Sequence, residues 1–312
     1  MKFFYYLKAI LKLIIPNAIL RARTQKFINK QYPKYDSFEL QDRLNYYNKL
    51  KNKRILSENA PILSQHKIKE VNYSKVYFFD TYEITRYFPK HLHWIFKPGD
   101  ITTLQTYPSI VKSRPIVENN ENSIILKLNK IRHFVFVNDK RKFENKIPKI
   151  IFRGAAHGKP IRQKFIEMYV NNPMCDVKDT AKDSINPINW QSKPISIKKQ
   201  LKYRYIMAIE GNDVASNLKW IMSSNSIAVM PRPKYETWFM EGTLIPNHHY
   251  IEIKDDFSDL IERVNFYEQN PELAKNIIKN ANEYVKQFKD KKREKLLGIL
   301  VMKKYFEKTG QL

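Results

Sequence analysis

The sequence predicts an α/β protein built on parallel sheets, because buried strand patterns alternate with helical patterns in the second half of the chain. Residues 203–209 form a near-continuous apolar and aromatic run, which is typical of a parallel strand buried on both faces. A polar turn, apolar residues at helical spacing from Ala215 and a second apolar run at 226–230 follow it. A strand, a crossover helix and another strand make one right-handed unit of an open sheet.

The polar turn at residues 210–216 predicts a binding site. Ligands of open α/β sheets lie beyond the carboxyl ends of the strands. A helix N-terminus at this place offers free N–H groups and a partial positive charge to a phosphate. Glu210 and Asp213 stand in this turn. Their carboxylates are interpreted as hydrogen-bond acceptors for a ligand or, alternatively, as helix caps.

A similar unit comes earlier in the chain. A strand pattern at residues 147–152 runs into a small-residue loop, and a helical pattern follows over 161–170. Arg153, Lys159 and Arg162 lie in and just after this loop. Cations in such a loop suit phosphate oxygens, which guanidinium groups bind in pairs. The same three cations also suit an ordinary charged surface.

The length of 312 residues predicts two domains, since a single hydrophobic core stops growing near this size. We expect an N-terminal helical segment over residues 1–60, a first domain over 61–145, a second domain over 146–290 and a C-terminal helix over 291–312. Within the first domain, apolar patterns predict strands at 76–79, 109–111 and 133–137. The Asn270-Pro271 pair predicts the start of a helix in the second domain.

The 56 Lys and Arg against 31 Asp and Glu give a net charge of +25, which predicts a polyanionic neighbour. Nucleic acid, an anionic membrane face and a phosphorylated substrate all meet this description, although a lysine-rich composition alone also raises the charge. Cys175 is the single cysteine. An intrachain disulfide is therefore excluded, and a reducing compartment is expected.

The first twenty residues are apolar but are interrupted by Lys8, Lys12 and Pro16. A membrane-spanning helix needs about 20 apolar residues with few charges, and a signal peptide needs an uninterrupted apolar core. The pattern therefore favours an amphipathic helix that lies on a membrane with its basic residues at the headgroups. The alternative is a helix that packs on the protein's own core.

Four motifs follow one another along the chain. They are PSIVKSRPI at residues 108–116, FRG at 152–154, EGNDVASNLK at 210–219 and YETWF at 235–239. In this order they resemble glycosyltransferase family 90, and especially its bacterial lipopolysaccharide branch, over roughly residues 70–290. Each motif is short, but four motifs in register are specific.

The resemblance implies two Rossmann-like domains that face a cleft, the arrangement called GT-B, with the donor held mainly by the C-terminal domain and the acceptor by the N-terminal one. It implies inverting transfer of a hexose, glucose or galactose, from a UDP-sugar to the inner core of lipopolysaccharide. The expected place is the cytoplasmic face of the bacterial inner membrane, as a peripheral protein. A phosphorylated acceptor and an anionic membrane would account for the positive charge, so no nucleic-acid partner is expected.

The resemblance implies that Arg153 and Arg162 are diphosphate ligands. Together with the loop after the strand at 147–152 and the polar turn, it gives the expected donor-binding residues Arg153, Gly154, Lys159, Arg162, Glu210, Asp213, Ser216, Asn217 and Lys219. Asn217 stands where many eukaryotic relatives carry an arginine that contacts the diphosphate, so the charge is expected from Lys219 or elsewhere. The sequence contains no Asp-x-Asp motif. This predicts a transferase that needs no metal and no cofactor beyond its donor substrate.

An inverting transferase needs a base that takes the proton of the acceptor hydroxyl, and the family places a carboxylate in the N-terminal domain. Asp80 is the first candidate and Asp100 the second, and each is alternatively a structural cap. The residues expected at the acceptor side of the cleft are Lys112, Ser113, Arg114, Tyr235, Glu236 and Trp238. The aromatic residues among them are interpreted either as a surface that stacks on uracil or sugar, or as a packed loop.

Two other functions match parts of the sequence. Glu252 and Lys254 on a predicted strand match the Glu-x-Lys pattern of metal-dependent nucleases, and the net charge of +25 suits nucleic acid. That pattern is short, and no obvious acidic partner precedes it. The second alternative is a basic protein that binds nucleic acid or a membrane surface without catalysis.

Overall fold

Our computed structural model describes residues 2–312, and this part of the chain divides into two compact units. Unit 1 contains the chain up to Phe134 together with Tyr235–Met240 and Phe288–Leu312. Unit 2 contains Val135–Lys234 and Glu241–Gln287. Each unit therefore draws on segments that are distant from one another in sequence.

The described chain contains helices and parallel strands, which alternate between Ile147 and Met230, and this confirms the predicted α/β class. In chain order the helices are α1 (Lys2–Ile14), α2 (Asn17–Ala22), α3 (Thr24–Gln31), α4 (Ser37–Tyr47), α5 (Lys75–Thr85), α6 (Lys130–His133), α7 (Pro160–Tyr169), α8 (Ile197–Gln200), α9 (Leu218–Met222), α10 (Leu260–Gln269), α11 (Pro271–Lys286) and α12 (Lys291–Lys308). The strands are β1 (Phe96–Lys97), β2 (Ser109–Val111), β3 (Ser113–Pro115), β4 (Ser123–Ile125), β5 (Ile147–Gly154), β6 (Cys175–Asp179), β7 (Tyr203–Met207), β8 (Ile227–Met230), β9 (Tyr235–Thr237) and β10 (Ile251–Glu252).

Unit 1 holds a parallel sheet of three strands in the order β1-β2-β4 and an antiparallel pair of β3 with β9. Strand β2 is the strand predicted at residues 109–111, and it is buried along its length, as expected for a middle strand. Helix α12 packs against α4 and α5. A side-chain carbon added at Gly298 of α12 would lie 2.9 Å from the Ile84 side chain of α5. Glycine permits this close approach without moving Ile84.

Two of the predicted strands are wrong. Residues 76–79 lie in helix α5, and every residue from Val76 to Asp80 is buried. A short buried apolar run does not distinguish a strand from a helix that is covered on most sides. In the range 133–137, His133 ends helix α6 and the following residues form no strand.

Unit 2 is organised by a five-stranded parallel sheet in the order β10-β8-β7-β5-β6. The strand, helix and strand predicted between residues 203 and 230 are confirmed as β7, α9 and β8. Helix α9 has only five residues and begins at Leu218, so the turn before it is longer than predicted. Strand β7 occupies the middle of the sheet, with β5 on one side and β8 on the other.

Apolar side chains from one face of this sheet pack with helices α7, α10 and α11 to form a core of unit 2. Ile150, Tyr205 and Val229 of three neighbouring strands are all fully buried. Helix α11 begins with Pro271 directly after Asn270, as predicted. Helices α7, α10 and α11 thus cover one face of the sheet that carries the loops at its carboxyl edge.

Helix α1 packs one face on α5. The Tyr5 hydroxyl donates to Asp80 at 2.7 Å, and the Lys12 ammonium lies 2.7 Å from Glu83. The predicted alternative of a helix that packs on the protein's own core therefore describes this face, whereas the opposite face is exposed. Among residues 2–312, none of the helices combines the length and the apolar character that crossing a membrane requires.

Acid should destabilise unit 1 through His66. Its imidazole stacks on Phe78 with ring centroids 4.9 Å apart, and burial lowers its pKa from 6.5 to about 4. Because the unfolded chain takes up this proton at higher pH than the folded chain, the stabilisation is complete above pH 6.5 and is lost as the pH falls towards 4. We expect the free energy of unfolding, measured with denaturant, to fall over this interval, and we expect His66→Gln to flatten the profile.

His91, whose side chain is exposed, provides the control, and His91→Gln is expected to leave the profile unchanged. Burial also lowers the pKa of His249 to about 4, which accounts for a residual slope in His66→Gln. A profile that His66→Gln leaves as steep as before would contradict the role of His66.

Candidate functional site

A pocket opens in unit 2 at the carboxyl ends of β7, β8 and β10. Its cavity volume is about 40 Å³, and the wider space of about 500 Å³ around it is partly open to solvent. The lining residues are Ala208, Ile209, Glu210, Val214, Ala215 and Leu218 around the turn after β7, Met230, Pro231, Arg232, Pro233 and Lys234 at the end of β8, Asp255 after β10, and Ile161 and Glu241. The pocket lies at the sheet edge where the sequence predicts a ligand site.

The pocket has an apolar floor and a charged rim. Ile209, Val214 and Leu218 are at most 5% exposed and contribute to the floor. Arg232 and Lys234 at the rim expose 72% and 55% of their side chains. Apolar surface with a few polar groups at fixed positions is the usual composition of a ligand site. This arrangement suits a ligand with a flat or apolar part and an anionic part.

Each of the two exposed rim cations forms an ion pair with a carboxylate. Arg232 Nε lies 2.8 Å from Glu252 Oε1, and Lys234 Nζ lies 2.9 Å from Asp255 Oδ2. The backbone N–H of Lys234 also donates to the Glu210 carboxylate at 3.1 Å. This hydrogen bond connects the loop after β8 to the turn after β7. Exposed pairs of this kind contribute about 0–1 kcal/mol. Arg232 and Lys234 can therefore exchange these carboxylates for an anionic ligand at little cost in free energy.

Of the polar residues predicted in the turn after β7, Glu210 lines the pocket. Asp213 is buried within the turn, and Ser216 is half-buried. Asn217 stands at the N-cap position of α9, and its side-chain amide donates to the Met207 carbonyl at 2.9 Å. The amide therefore connects the start of the helix to the end of β7, and the position of the turn depends on this contact.

The Arg162 guanidinium connects two loops at this edge of the sheet. It donates to the carbonyl oxygens of Ile209 at 2.9 Å and Glu210 at 3.2 Å, and to that of Ala155 at 3.1 Å. A side-chain carbon added at Gly211 would lie 2.9 Å from Arg162 Nη2, so glycine lets the guanidinium approach the turn. Arg162 thus positions the backbone beside the pocket.

The other residues predicted after β5 have partners of their own. The Arg153 guanidinium lies 2.5 Å from Asp176 Oδ1 and also donates to the Asp176 carbonyl at 2.6 Å, so it joins β5 to β6. Lys159 donates to the side chain of Asn212. Gly154 ends β5 and is half-buried. These residues are not among those that line the pocket.

Lys219 and Glu241 form a buried ion pair beside the pocket. Their side chains are 0% and 1% exposed. Glu241 also lines the pocket, whereas Lys219 does not. A buried charge is stable only when an opposite charge accompanies it, and the Lys219 ammonium supplies that charge to Glu241. This pairing argues against the predicted contact between Lys219 and a diphosphate.

In unit 1, Asp100 follows β1 and Lys112 follows β2, so both lie at the carboxyl edge of the three-stranded sheet. They form an ion pair in which 1% of the Lys112 side chain and 23% of the Asp100 side chain are exposed. The Ser113 hydroxyl accepts the Ile101 N–H at 3.2 Å and holds the same loop. The Asp100 carboxylate is therefore oriented by a buried cation and still reaches the surface.

Asp80 lies inside helix α5 and not at the end of a strand, and its side chain is 1% exposed. The carboxylate accepts the Tyr5 hydroxyl at 2.7 Å and the Lys130 N–H at 2.9 Å, and the Lys130 ammonium lies 3.2 Å away. Burial raises the pKa of Asp80, although the Lys130 charge acts in the opposite direction. These contacts join α1 and the start of α6 to α5. They correspond to the alternative prediction for Asp80, a structural cap.

Four of the six residues predicted at the acceptor side, Ser113, Arg114, Tyr235 and Glu236, lie in the antiparallel pair of β3 and β9. Arg114 lies opposite Glu236, with Arg114 Nε 2.7 Å from the carboxylate, and both side chains are at most 2% exposed. Trp238 is fully buried and stacks on Tyr47 with ring centroids 3.7 Å apart. Tyr235 at the start of β9 is half-buried. The interpretation as a packed segment describes Trp238 better than a surface that stacks on a ligand.

Across residues 2–312, the structure brings no three His, Cys, Asp or Glu side chains together as a set of metal ligands. Glu252, the acid of the nuclease pattern, pairs with Arg232, and Lys254 is exposed beyond the end of β10. The two residues of that pattern therefore have ordinary surface roles here. Metal independence stays a prediction.

Sequence reasoning missed Arg232, Lys234 and Asp255 as members of the site. A signal for the two cations was present, because residues 231–234 directly follow a buried strand pattern. The rule that ligands lie beyond the carboxyl ends of strands applies to β8 as well as to β7. Asp255 had no comparable signal, since β10 is only two residues long.

Comparisons with known proteins agree with the motifs of the sequence. Glycosyl transferase family 90 matches residues 113–296, a segment that contains the whole pocket. The O-glucosyltransferase LpsA of Dichelobacter nodosus is 43% identical over 268 residues, which cover 86% of this chain and 82% of that protein.

Two further relatives are matched over shorter parts of their length. Protein O-glucosyltransferase 3 of Homo sapiens is 31% identical over 110 residues, which are 35% of this chain and 21% of that protein. Uncharacterized protein 179R of Invertebrate iridescent virus 6 is 25% identical over 226 residues, which are 59% of this chain and 19% of that protein. The chain therefore spans most of the bacterial relative and about a fifth of the other two.

Breaking the buried pair shows whether Lys219 serves the fold or a ligand. Lys219→Met leaves the Glu241 carboxylate buried without its cation, which should lower the free energy of unfolding by about 3–5 kcal/mol. Denaturant unfolding followed by circular dichroism measures the change. Lys286→Met, which removes an exposed pair with Glu283, is the control and should cost at most about 1 kcal/mol. A Lys219→Met variant that keeps its stability but loses affinity for UDP would contradict the structural role.

Proposed function

Because the chain belongs to glycosyltransferase family 90, we propose that it transfers a hexose from a UDP-sugar to the inner core of a bacterial lipopolysaccharide, with inversion at the anomeric carbon. The family match covers residues 113–296 of the 312. The relative with 43% identity is an O-glucosyltransferase, which favours glucose over galactose as the hexose.

The pocket at the carboxyl ends of β7, β8 and β10 is the observation that carries this proposal. We place the uracil on the apolar floor beside Ile209 and Leu218, and the ribose hydroxyls beside the Glu210 carboxylate, all of which line the pocket. The diphosphate then lies against Arg232 and Lys234 at the rim. The apolar floor and the two rim cations correspond to the two halves of a nucleoside diphosphate.

Departure of UDP requires positive charge beside the diphosphate oxygens. Arg232 and Lys234 bring two cations from one short loop, and both side chains are largely exposed, so an anionic ligand can replace their carboxylate partners. The sequence contains no Asp-x-Asp motif for a metal. We therefore propose that the two cations neutralise the leaving group and that the transfer needs neither a metal nor a further cofactor.

We assign the base to Asp100 in preference to Asp80. A base has to reach the acceptor hydroxyl within hydrogen-bond distance, and Asp100 exposes 23% of its side chain against 1% for Asp80. In the proposed reaction Asp100 takes the hydroxyl proton, and the acceptor oxygen forms a bond to the anomeric carbon. The bond between that carbon and the diphosphate breaks, and UDP leaves with the electron pair.

The proposed GT-B arrangement assigns the donor to unit 2 and the base to unit 1. We further propose that the protein works as a peripheral protein at the cytoplasmic face of the inner membrane, where a lipid-anchored acceptor is available. Phosphate groups of the acceptor and anionic lipids would attract a chain with a net charge of +25. These polyanions, and not nucleic acid, are the proposed partners.

The double variant Arg232→Gln and Lys234→Gln tests the pocket. UDP should raise the melting temperature of the unmodified protein, because a ligand that binds only the folded chain stabilises it. Loss of two charge-assisted contacts should weaken UDP binding by roughly ten- to a hundredfold. Isothermal titration calorimetry measures the Kd.

Lys279→Gln with Lys286→Gln removes two exposed cations of α11 in the same unit and is the matched control. Its affinity for UDP should equal that of the unmodified protein. The pocket assignment fails if the rim variant and this control bind UDP equally well, and the proposed function loses its support if UDP binds none of the three proteins.

Asp100→Asn keeps the shape of the side chain but removes the base. We expect the transfer rate to fall by roughly 10²- to 10⁴-fold while UDP binding is retained. Hydrolysis-corrected turnover of UDP-hexose measures the rate. Mass and linkage analysis of lipopolysaccharide from a deletion strain, complemented with the unmodified gene or the variant, identifies the product.

Asp80→Asn is the comparison for the base. It breaks a buried network with Tyr5 and Lys130, so lower thermal stability is the expected result. If the Asp100→Asn variant is active and the Asp80→Asn variant is folded but inactive, the base is Asp80 and not Asp100. A deletion strain whose core is unchanged would count against transfer to the inner core.

A further inference from the structure

Helix α1 carries an apolar stripe that the rest of the described chain leaves exposed. The stripe consists of Phe3, Phe4, Leu7, Ile10, Leu11 and Ile14, which expose between 43% and 73% of their surface. At 3.6 residues per turn these positions fall within an arc of about 120°. They therefore form one continuous face, which we call the α1 stripe.

The opposite face of α1 is attached to the protein near both ends of the helix. Tyr5 donates to Asp80 at 2.7 Å, and Lys12 lies 2.7 Å from Glu83. Between them Ala9 is 8% exposed. Asp80 and Glu83 both belong to α5, so α1 lies alongside that helix. The α1 stripe consequently faces away from α5 along the whole length of α1.

The charges around the α1 stripe indicate which kind of surface it meets. Residues 1–35 contain eight Lys and Arg and no Asp or Glu. Lys8 borders the stripe on the helix, and Lys8, Arg23 and Lys26 are all exposed. An apolar helix face accompanied by exposed cations is typical of helices that lie in the surface of an anionic membrane.

A second copy of this chain is a poorer partner for the α1 stripe. Two such segments packed face to face would bring their cations together with no carboxylate of their own between residues 1 and 35. Like charges at short distance repel, whereas anionic headgroups neutralise them. The charge complementarity therefore favours a lipid surface over a dimer.

We propose that the α1 stripe inserts into the boundary between headgroups and acyl chains of a membrane with anionic lipids, and that the neighbouring cations bind the headgroups. Unit 1 is then attached to the membrane through one defined face. This inference deepens the location given under the proposed function and rests on it for the choice of bacterial lipids.

Vesicle flotation of the full chain tests the inference. The probes are vesicles of phosphatidylethanolamine with phosphatidylglycerol, and neutral vesicles of phosphatidylcholine. The triple variant Phe3→Gln, Leu7→Gln and Leu11→Gln removes half of the α1 stripe and keeps good helix formers. We expect the unmodified chain to float with the anionic vesicles, less so at high salt, and the variant to bind them roughly a hundredfold more weakly.

Ile55, Ile185 and Ile188 expose 85%, 83% and 89% of their surface outside α1, and their triple glutamine variant is the matched control. It should bind vesicles as the unmodified chain does. Circular dichroism and thermal unfolding establish that both triple variants are folded. The inference is overturned if the unmodified chain does not bind anionic vesicles, or if the stripe variant binds them as tightly as the unmodified chain does.

Light scattering after size exclusion provides a third readout. If the unmodified chain is a dimer, the stripe variant is a monomer and neither binds vesicles, the α1 stripe contacts a second copy of the chain and the inference is overturned.

Transfer to a delipidated, soluble acceptor should be equal in the unmodified chain and the stripe variant. If neither protein transfers the sugar while the unmodified chain binds anionic vesicles and the stripe variant does not, the proposed function is refuted and the membrane attachment is supported, so the two proposals fail separately.

Discussion

The middle position of β7 in the parallel sheet of unit 2 is the constraint on which the candidate site depends. Hydrogen bonds to β5 and β8 hold the strand on both sides, so its last residue, Met207, has a defined place. The turn that follows is then attached to it by the Asn217 amide, and Arg162 binds the carbonyl oxygens of Ile209 and Glu210. Because parallel strands end at the same edge, the segments after β7, β8 and β10 converge on one pocket.

Positive charge has two separate uses in this protein. Arg114, Lys130 and Lys219 each meet a carboxylate within the fold, and their charges stabilise packed segments. Arg232 and Lys234 stand at the rim of the pocket and their own side chains are exposed, so water screens those pairs. A net charge of +25 therefore does not indicate which cations meet a ligand. The burial of each side chain separates the two uses.

Carboxylates divide in the same way. Asp80 and Asp100 each have an ammonium partner, yet the Asp80 network is enclosed while Asp100 reaches the surface. The enclosed network joins α1 to α5, and this contact turns the apolar stripe of α1 outward. Asp80, the first candidate for the catalytic base in the sequence, thus helps to hold the N-terminal helix α1 on α5. A link of this kind connects packing inside unit 1 with the proposed attachment to a membrane.

The sequence by itself determined the α/β class, the strands β5, β7 and β8, the start of α11 at Pro271 and the order of motifs that indicates the family. These features are readable because apolar periodicity and cap residues act over a few neighbouring positions. The sequence did not determine the secondary structure of residues 76–79, because a fully buried apolar run has the same composition in a strand and in a helix. Secondary structure there was decided by what covers the segment.

Only the tertiary structure decided which polar residues face a ligand. Arg114 meets Glu236 across 122 positions of sequence, and Lys219 meets Glu241 in a buried pair that no local pattern announces. Arg232 and Lys234 became site residues because β8 ends beside β7. The physical reason is that the free energy of a charged side chain depends on what packs over it, and the segments that pack over it are distant in sequence.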